Sequence, residues 1–424
     1  MPLGRPEETP VAGTRSAKAA RTRESILDAA SSLIVSRGIG ALSLRDIASK
    51  AGISHPGLLR HFSSKGELLL ALVERFTTRT TIWINESGHG PGLASAVAVA
   101  EHNASEPGYI ELFTALAGEA TAKSHPAHNR LAERYGQLRR TITDDYGSDP
   151  EARSYATRFA AGWDGLQLQA LYEPSIDVAA ALGRVLNPGM HASDTSPTLL
   201  PPDPLPISSM VQSEKSGYAN GRKRRATIIA DASHLFAERG YYATSLREIA
   251  ESVGISKSTL LHHFGSKEDL LTAVLVHRDQ VLLDVPERRG GPRAELTGVV
   301  QGARSLCARP GLIELYIVMS CGAVAPGHPA HDYFVRRNES GRSYFKNLFE
   351  RLQASGDVAM TRDPAHEAAW LMAVWDGLQL QWLYDPDAVD VAEELAAQVA
   401  SVLEPVNTLE PAVSEPGQSA LNAG

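Results

Sequence analysis

The residues best suited to bind another molecule are basic side chains, and they occur in two similar settings. Arg15–Arg23 contains one basic cluster and Arg222–Arg225 contains another. Arginine and lysine provide the charge and the donors that contacts to phosphate groups need. The whole chain carries a net charge of −8. These segments therefore indicate a local phosphate-binding surface, and not a chain that coats nucleic acid along its whole length.

The sequence offers little for catalysis or metal binding. His-Pro-Ala-His occurs at His125–His128 and again at His328–His331. Two histidines three positions apart on a helix could share a metal ion. The same residues also fit a helix start with proline in its first turn, which is the interpretation we favour. Cys307 and Cys321 are too few for a four-cysteine zinc site. Since we find neither a phosphate loop nor a nucleophile elbow, we expect no enzyme activity, no metal and no cofactor.

The elements that must position the basic residues are duplicated. With a displacement of 202 positions, Ser43–Leu69 aligns with Ser245–Leu271, and 16 of the 27 positions are identical. A displacement of 203 superimposes the two His-Pro-Ala-His segments. One of 212 superimposes Trp163–Gln169 on Trp375–Gln381. The chain is therefore predicted to be a tandem duplication of one two-part unit.

Apolar residues recur at helical spacing and alternating β-branched runs are missing, which predicts an all-α fold of two consecutive units. No apolar run is long enough for a membrane span and no signal-peptide core is present, so we expect a cytoplasmic protein without a membrane partner. The predicted segments are a flexible basic arm (1–20), a first small domain (21–76), a first larger helical domain (77–187), a Pro/Ser-rich linker (188–221), a second small domain (222–278), a second larger domain (279–404) and a disordered tail (405–424).

Each small domain is predicted to hold a helix-turn-helix. In the first copy Ser43 and Ser54 are expected to cap two short helices separated by Gly52, and the second copy repeats this pattern. Asp46 and Glu248 stand three residues after the first cap of each copy, which predicts a capping box. The second short helix is expected to end near the phenylalanine of each copy, Phe62 or Phe264. Such a helix enters the DNA major groove in helix-turn-helix proteins.

The segments SLRDIASKAGIS, LLRHF and SSKGELL, with their second-copy equivalents, resemble the DNA-binding domain of the TetR family of ligand-responsive transcriptional regulators. The resemblance covers the small domain of each copy. It implies a double-stranded DNA operator, dimeric pairing of helical subunits, and a small-molecule effector whose binding releases the DNA. We expect a repressor on this basis. We call the two small domains, 21–76 and 222–278, the heads. The family often has a phosphate-contacting tyrosine where Leu59 and Leu261 stand. This departure favours the alternative of a sensing or protein-binding scaffold whose heads no longer bind DNA.

The family's DNA contacts can be carried over to matching positions. Arg45 and Arg247 lie early in the first short helix, where arginine can bind guanine or phosphate. Lys65 and Lys267 begin the next long helix, where the free amides favour a phosphate. The candidate DNA-binding residues are Ser43, Arg45, Ser54, His55, Gly57, Arg60, His61, Lys65, Ser245, Arg247, Ser256, Lys257, Ser258, Thr259, His262, His263 and Lys267. Because few exposed residues are shared, we infer that the two heads read different half-sites.

The larger domains share the segment Trp-Asp-Gly-Leu-Gln-Leu-Gln. Trp163 and Trp375 could line a pocket, or the segment could form a dimer interface in which Gly165 and Gly377 let another helix approach closely. We favour the interface and predict a pseudo-dimer within one chain, with a homodimer as the alternative. The candidates for lining an effector cavity are Phe113, Trp163, Tyr316 and Met319.

Overall fold

The protein is described by a computed structural model covering residues 12–37, 42–90, 92–147, 149–187, 219–239, 241, 244–283 and 290–403. All regular structure in these residues is helical, which confirms the predicted all-α class. None of the helices described is long and apolar enough to cross a membrane.

The helices of the described chain form two series of nine. The first unit comprises α1 (Ala12–Arg37), α2 (Leu44–Lys50), α3 (His55–Leu59), α4 (Lys65–Ser87), α5 (Ala96–Ser105), α6 (Tyr109–Glu119), α7 (His128–Tyr146), α8 (Pro150–Tyr172) and α9 (Val178–Leu186). A short 3₁₀ turn, Leu93–Ser95, precedes α5. The second unit comprises α10 (Ala219–Arg239), α11 (Leu246–Val253), α12 (Lys257–His263), α13 (Lys267–Leu283), α14 (Pro292–Cys307), α15 (Pro310–Gly322), α16 (His331–Ala354), α17 (Pro364–Tyr384) and α18 (Val391–Leu403).

Four of the predicted boundaries fall inside helices of the structure. The helix α1 begins at Ala12, so part of the arm predicted over 1–20 is helical, and α10 begins at Ala219, inside the predicted linker. Alanine, arginine and lysine are strong helix formers, so these helices extend beyond the residues that pack on the core. The boundaries expected at 76 and 278 fall inside α4 and α13, which run unbroken into the larger domains. Residues 188–218 and 404–424, assigned to linker and tail, lie outside the described residues.

The two units meet where α8 crosses α17. A Cβ atom on Gly165 would lie 1.9 Å from the carbonyl oxygen of Ala373, and one on Gly377 would lie 1.8 Å from that of Ala161. Ala161 and Ala373 are equivalent under the same displacement of 212 that relates the glycines. The two contacts are therefore related by an approximate twofold axis, the pseudo-axis. Glycine at both positions allows direct backbone contact between the helices.

A second crossing, between α6 and α15, lies on the same axis. A Cβ on Gly118 would be 2.4 Å from the Cβ of Cys321. A displacement of 203 makes these two residues equivalent, so the pseudo-axis passes between them. The Cys321 thiol is fully buried here, and burial raises its pKa to about 12. It serves as a small packing residue in this crossing.

Side-chain contacts between the units repeat in the same reciprocal way. The Tyr172 hydroxyl donates to the Ser320 carbonyl at 2.5 Å, and the Tyr384 hydroxyl donates to the Ala117 carbonyl at 2.6 Å. Two ion pairs, Arg139 with Asp385 and Arg342 with Glu173, also have equal N–O distances of 3.2 Å. One chain thus forms internally the kind of isologous interface that two copies of a subunit form in a symmetric dimer.

Candidate nucleic-acid interface and effector interior

Serine side chains begin the short helices of both heads, as the sequence predicts. The Ser43 hydroxyl accepts from the Asp46 amide at 3.2 Å, and the Ser245 hydroxyl accepts from the Glu248 amide at 3.2 Å. Only the second head completes the capping box, because the Glu248 carboxylate accepts from the Ser245 amide at 2.7 Å. The shorter Asp46 side chain accepts from the Ser43 hydroxyl instead. The box predicted for the first head is therefore incomplete.

The two helices that would enter a major groove, α3 and α12, follow glycine turns. Gly52 and Gly254 have φ values of 69° and 72°, in the left-handed region that glycine adopts without strain. α12 continues to His263, close to the predicted end, whereas α3 ends earlier than expected, at Leu59. Beyond α3 the His61 amide donates to the carbonyl three residues before it, so the last turn tightens. We call α3 and α12 the reading helices.

The candidate DNA-binding residues lie on the outer surface of the two heads. Exposed candidates are Ser43, Arg45, Ser54, Arg60, Ser245, Arg247, Ser256, Lys257, Ser258, Thr259 and His262. Half-buried candidates are His55, Gly57, His61, Lys65, His263 and Lys267. Burial lowers the pKa of His263, and the neighbouring His262 and Arg225 lower it further. These candidate side chains are accessible to a ligand of each head, and their individual roles stay predictions.

The basic segments are held beside the reading helices. The Arg23 guanidinium lies 4.6 Å above the ring of Phe62, and the equivalent Arg225 lies 4.5 Å above the ring of Phe264. Phe62 lies three residues beyond α3, Phe264 directly follows α12, and both rings are buried. The cation–π contact therefore fixes positive charge next to the surface that would face DNA.

The two heads differ in the setting of their equivalent arginines and lysines. Arg247 forms an ion pair with Glu251 at 2.8 Å, whereas the position equivalent to Glu251 in the first head is Ser49. Lys267 lies 4.2 Å from the ring of Tyr241, and burial lowers its pKa. Neither contact is apparent from the sequence pattern. The acidic neighbour makes the second head less positive around its first short helix.

The interior of the second unit holds a buried ionic network. Arg278 and Asp279 are almost completely buried and pair at 2.9 Å, and Arg337 contacts the same carboxylate at 3.2 Å. Tyr333 donates a short hydrogen bond to Asp279. Burial alone would raise the pKa of Asp279, but the guanidiniums of Arg337 and Arg278 outweigh it and hold the pKa below its ordinary value. The network keeps four polar groups together inside the helical bundle.

Tyr316, a candidate for lining an effector cavity, belongs instead to this network. Its ring lies 3.7 Å from the Arg278 guanidinium, and its hydroxyl donates to Asp376 at 3.1 Å. The equivalent positions in the first unit are Phe76, Thr77 and Phe113, where the second unit has Arg278, Asp279 and Tyr316. These differences between the copies are the feature of the sequence that could have indicated a polar interior in the second unit. The sequence could not show that the charged pair points inward.

A small cavity lies on the pseudo-axis among α6, α8, α15 and α17. Phe113, Asp164, Cys321 and Asp376 are among its lining residues. The cavity has room for roughly one water molecule. The Oδ2 atom of Asp164 is shielded from solvent, and burial raises the pKa of this carboxyl to about 7. Phe113 is thus the effector candidate that reaches this cavity.

The other candidates for the effector cavity and the interface lie in packed surroundings. Met319 is buried in α15. Trp163 is half-buried and packs edge-on against Phe159, which also meets Trp370 across the crossing of α8 and α17. Trp375 is 5% exposed and lies in α17 beside Gly377.

The repeated His-Pro-Ala-His segments serve the same interface. His128 and His331 make hydrogen bonds through Nδ1 to the carbonyls of Ala120 and Ala323, each at 2.9 Å. The His128 ring stacks on Tyr384 of the other unit, and the His331 ring packs on Tyr172. These contacts explain why both copies carry the segment without invoking a metal ion. Among the described residues no group of three or more metal-ligating side chains occurs.

Comparison with known proteins identifies the heads. The profile described as "Bacterial regulatory proteins, tetR family" matches residues 26–72 and again residues 228–274. The chain is a tandem member of the TetR family. A second profile, "BetI-type transcriptional repressor, C-terminal", matches residues 315–405. Both matches to the first profile cover a serine-capped helix-turn-helix, so this TetR protein is a helix-turn-helix transcriptional regulator with two DNA-binding domains.

Individual relatives match either one unit or one head of this TetR protein. The transcriptional repressor KstR2 of Mycolicibacterium smegmatis is 26% identical over 194 residues, which is 42% of this chain and 88% of the relative. The transcriptional activator FasR of the same organism is 45% identical over 53 residues, 12% of this chain and 24% of the relative. A TetR-family regulator from Rhodococcus sp. has a solved structure with 22% identity and a TM-score of 0.37, covering 43% of this chain and 100% of that chain. Nearly all of KstR2 matches less than half of this chain, which fits two units in tandem.

Proposed function

We propose that this TetR protein is a cytoplasmic, ligand-responsive repressor whose single chain reads one operator with two unlike half-sites. The reciprocal packing across the pseudo-axis carries the proposal. It joins two heads of the same fold, whereas their reading helices present different side chains. A symmetric dimer with identical heads matches a palindromic site, so unlike heads about a pseudo-axis match a site without strict palindromy.

In this proposal the basic residues of each head provide the DNA contacts. Arg45 and Arg247 bind base edges or phosphates, and Lys65 and Lys267 support phosphates at the first residue of α4 and α13. Arg23 and Arg225 add charge beside the reading helices. The remaining candidates on α3 and α12 contribute sequence preference.

A small-molecule effector would act through the helices that touch both the pseudo-axis and the heads. The start of α6 contacts α1, because a Cβ on Gly108 would be 3.1 Å from the Ile34 side chain. In the second unit α15 packs directly on α10. Separation of α6 and α15 by a ligand entering beside Phe113 would therefore shift both heads. The chain lowers its affinity for DNA if the ligand prefers the separated arrangement.

Repression is the direction we propose because KstR2 is named a repressor, and the match covers 88% of the length of KstR2. FasR, matched over one head, is named an activator. The direction depends on where the operator lies relative to the promoter. A reporter gene placed downstream of the operator tests it directly: we expect higher expression when this protein is deleted.

The DNA-binding proposal is tested by fluorescence anisotropy with labelled DNA from upstream of the gene. We expect tight binding that weakens steeply with salt, and light scattering that gives one 45.5 kDa chain per DNA. Arg45→Ala and Arg247→Ala should each weaken binding and reduce the salt dependence by about one counterion. Arg304→Ala is the matched control, because it removes an exposed charge from α14, outside the heads.

Three results would contradict the proposal. Unchanged binding in both head variants would show that the heads do not contact the DNA. Two chains per operator, with each unit pairing with its counterpart in the other chain, would exclude the intrachain pseudo-dimer. Salt-insensitive or absent binding would favour the sensing or scaffold alternative.

A further inference from the structure

Leucine occupies an exposed position on both reading helices. Leu59 is 39% exposed and Leu261 is 37% exposed, and the two are equivalent under the displacement of 202. Each follows a leucine that is fully buried, Leu58 or Leu260. The neighbouring leucines of each pair therefore have different roles, one in the core and one on the surface.

The position of Leu261 on its helix places it among the side chains that would face DNA. It lies one turn beyond Lys257 and three residues beyond Ser258, both exposed. Residues three and four apart share a face of a helix. Leu59 has the same relation to His55 and Pro56 in the first head.

The surroundings of the two leucines differ, but the leucine itself does not. The three positions before the buried leucine are His55, Pro56 and Gly57 in one head and Lys257, Ser258 and Thr259 in the other. The residue after the exposed leucine is Arg60 or His262. A feature shared by both heads at a position where most neighbours differ indicates a contact that both heads make.

We propose that Leu59 and Leu261 each pack on the C5-methyl group of a thymine, one in each half-site. This inference rests on the proposed DNA-binding function and adds to it the base that both half-sites share. Leucine cannot form hydrogen bonds with base edges or phosphates. The thymine methyl is the apolar group that a base pair presents in the major groove.

Replacing thymine with uracil removes only that methyl group and leaves every base-pair hydrogen bond intact. Each thymine of an operator selected from random DNA is replaced singly, and binding is measured for the unmodified protein and for Leu59→Ala and Leu261→Ala. We expect one thymine per half-site at which uracil weakens binding about fourfold, the factor for burying one methyl-sized group. Leu59→Ala should lose the response at one of these thymines and keep it at the other, and Leu261→Ala should do the reverse.

Ile82→Ala is the matched control, because Ile82 is an equally apolar and exposed residue on α4, outside the reading helices. It should keep both uracil responses. Equal uracil responses in the unmodified protein and in both leucine variants would overturn the inference, as would no response at any thymine. Complete loss of binding in a leucine variant would also contradict it, because one apolar contact accounts for only a few-fold change. Failure to select any DNA would instead overturn the proposed function itself.

Discussion

Substituting Gly165 with alanine should weaken the contact between the two units. The new Cβ would start 1.9 Å from the Ala373 carbonyl oxygen, whereas such contacts are essentially never shorter than 3.0 Å. α8 and α17 must therefore separate by at least about 1 Å at the crossing. The obstacle is backbone on a helix and not the end of a flexible side chain, so the strain cannot be relieved locally.

We expect Gly165→Ala to lower the free energy of unfolding by about 3 kcal/mol, at the upper end of the range for overpacked cores. The helix-forming preference of alanine offsets roughly 0.5–1 kcal/mol of the strain. Gly377→Ala should cost a similar amount, because its Cβ would lie 1.8 Å from the Ala161 carbonyl. The double variant should cost less than the sum, since one separation of the helices relieves both clashes.

The assay is urea unfolding followed by circular dichroism and by tryptophan fluorescence, with Gly136→Ala as the matched control. Gly136 lies in α7, where a Cβ would meet only the end of the Arg140 side chain at 3.4 Å. This control should be slightly more stable than the unmodified protein. If Gly165→Ala unfolds at the same urea concentration as Gly136→Ala, α8 and α17 do not cross as described.

Three further predictions concern buried polar groups. Asp279→Asn should destabilise the fold by about 3 kcal/mol or more, because it leaves two buried guanidiniums without their carboxylate; urea unfolding that matches the unmodified protein would contradict this. Tyr384→Phe and Tyr172→Phe should each cost about 1 kcal/mol, and clearly unequal losses would contradict the pseudo-symmetry. Folding raises the pKa of Asp164 to about 7. Its contribution to the free energy of unfolding is therefore complete below about pH 4, where the carboxyl is protonated in both states. This contribution falls by as much as ~4 kcal/mol as the pH rises from about 4 through 7. Asp164→Asn should remove this part of the pH dependence of stability, and thermal melts from pH 5 to 8 with an unchanged slope would contradict it.

The heads could be read from the sequence because their signals are local. Serine at a cap and glycine in a left-handed turn act within a few residues, so Ser54 and Gly52 predict the turn without any knowledge of the rest of the chain. Duplication strengthened each signal by repeating it in register. The early end of α3 was not predictable, since it depends on how its last turn tightens.

The interface was partly predictable and the interior was not. The repeated Trp-Asp-Gly segment favoured a close helix crossing, but only the fold shows which carbonyl each glycine meets. Charged residues are rarely buried unless paired, so the sequence alone does not indicate that Arg278 and Asp279 lie in the interior. Their partners Arg337 and Asp376 lie far along the chain, so the ionic network emerges only from packing of distant helices.

Selection of bound DNA from a random pool by the purified full-length protein tests the central claim most directly. Two reading helices with different exposed residues, joined within one chain, predict an enriched site with two unlike halves. A perfect palindrome would contradict this, because it would indicate two chains that each use one dominant head. No enrichment at low salt would contradict the DNA-binding role of both heads.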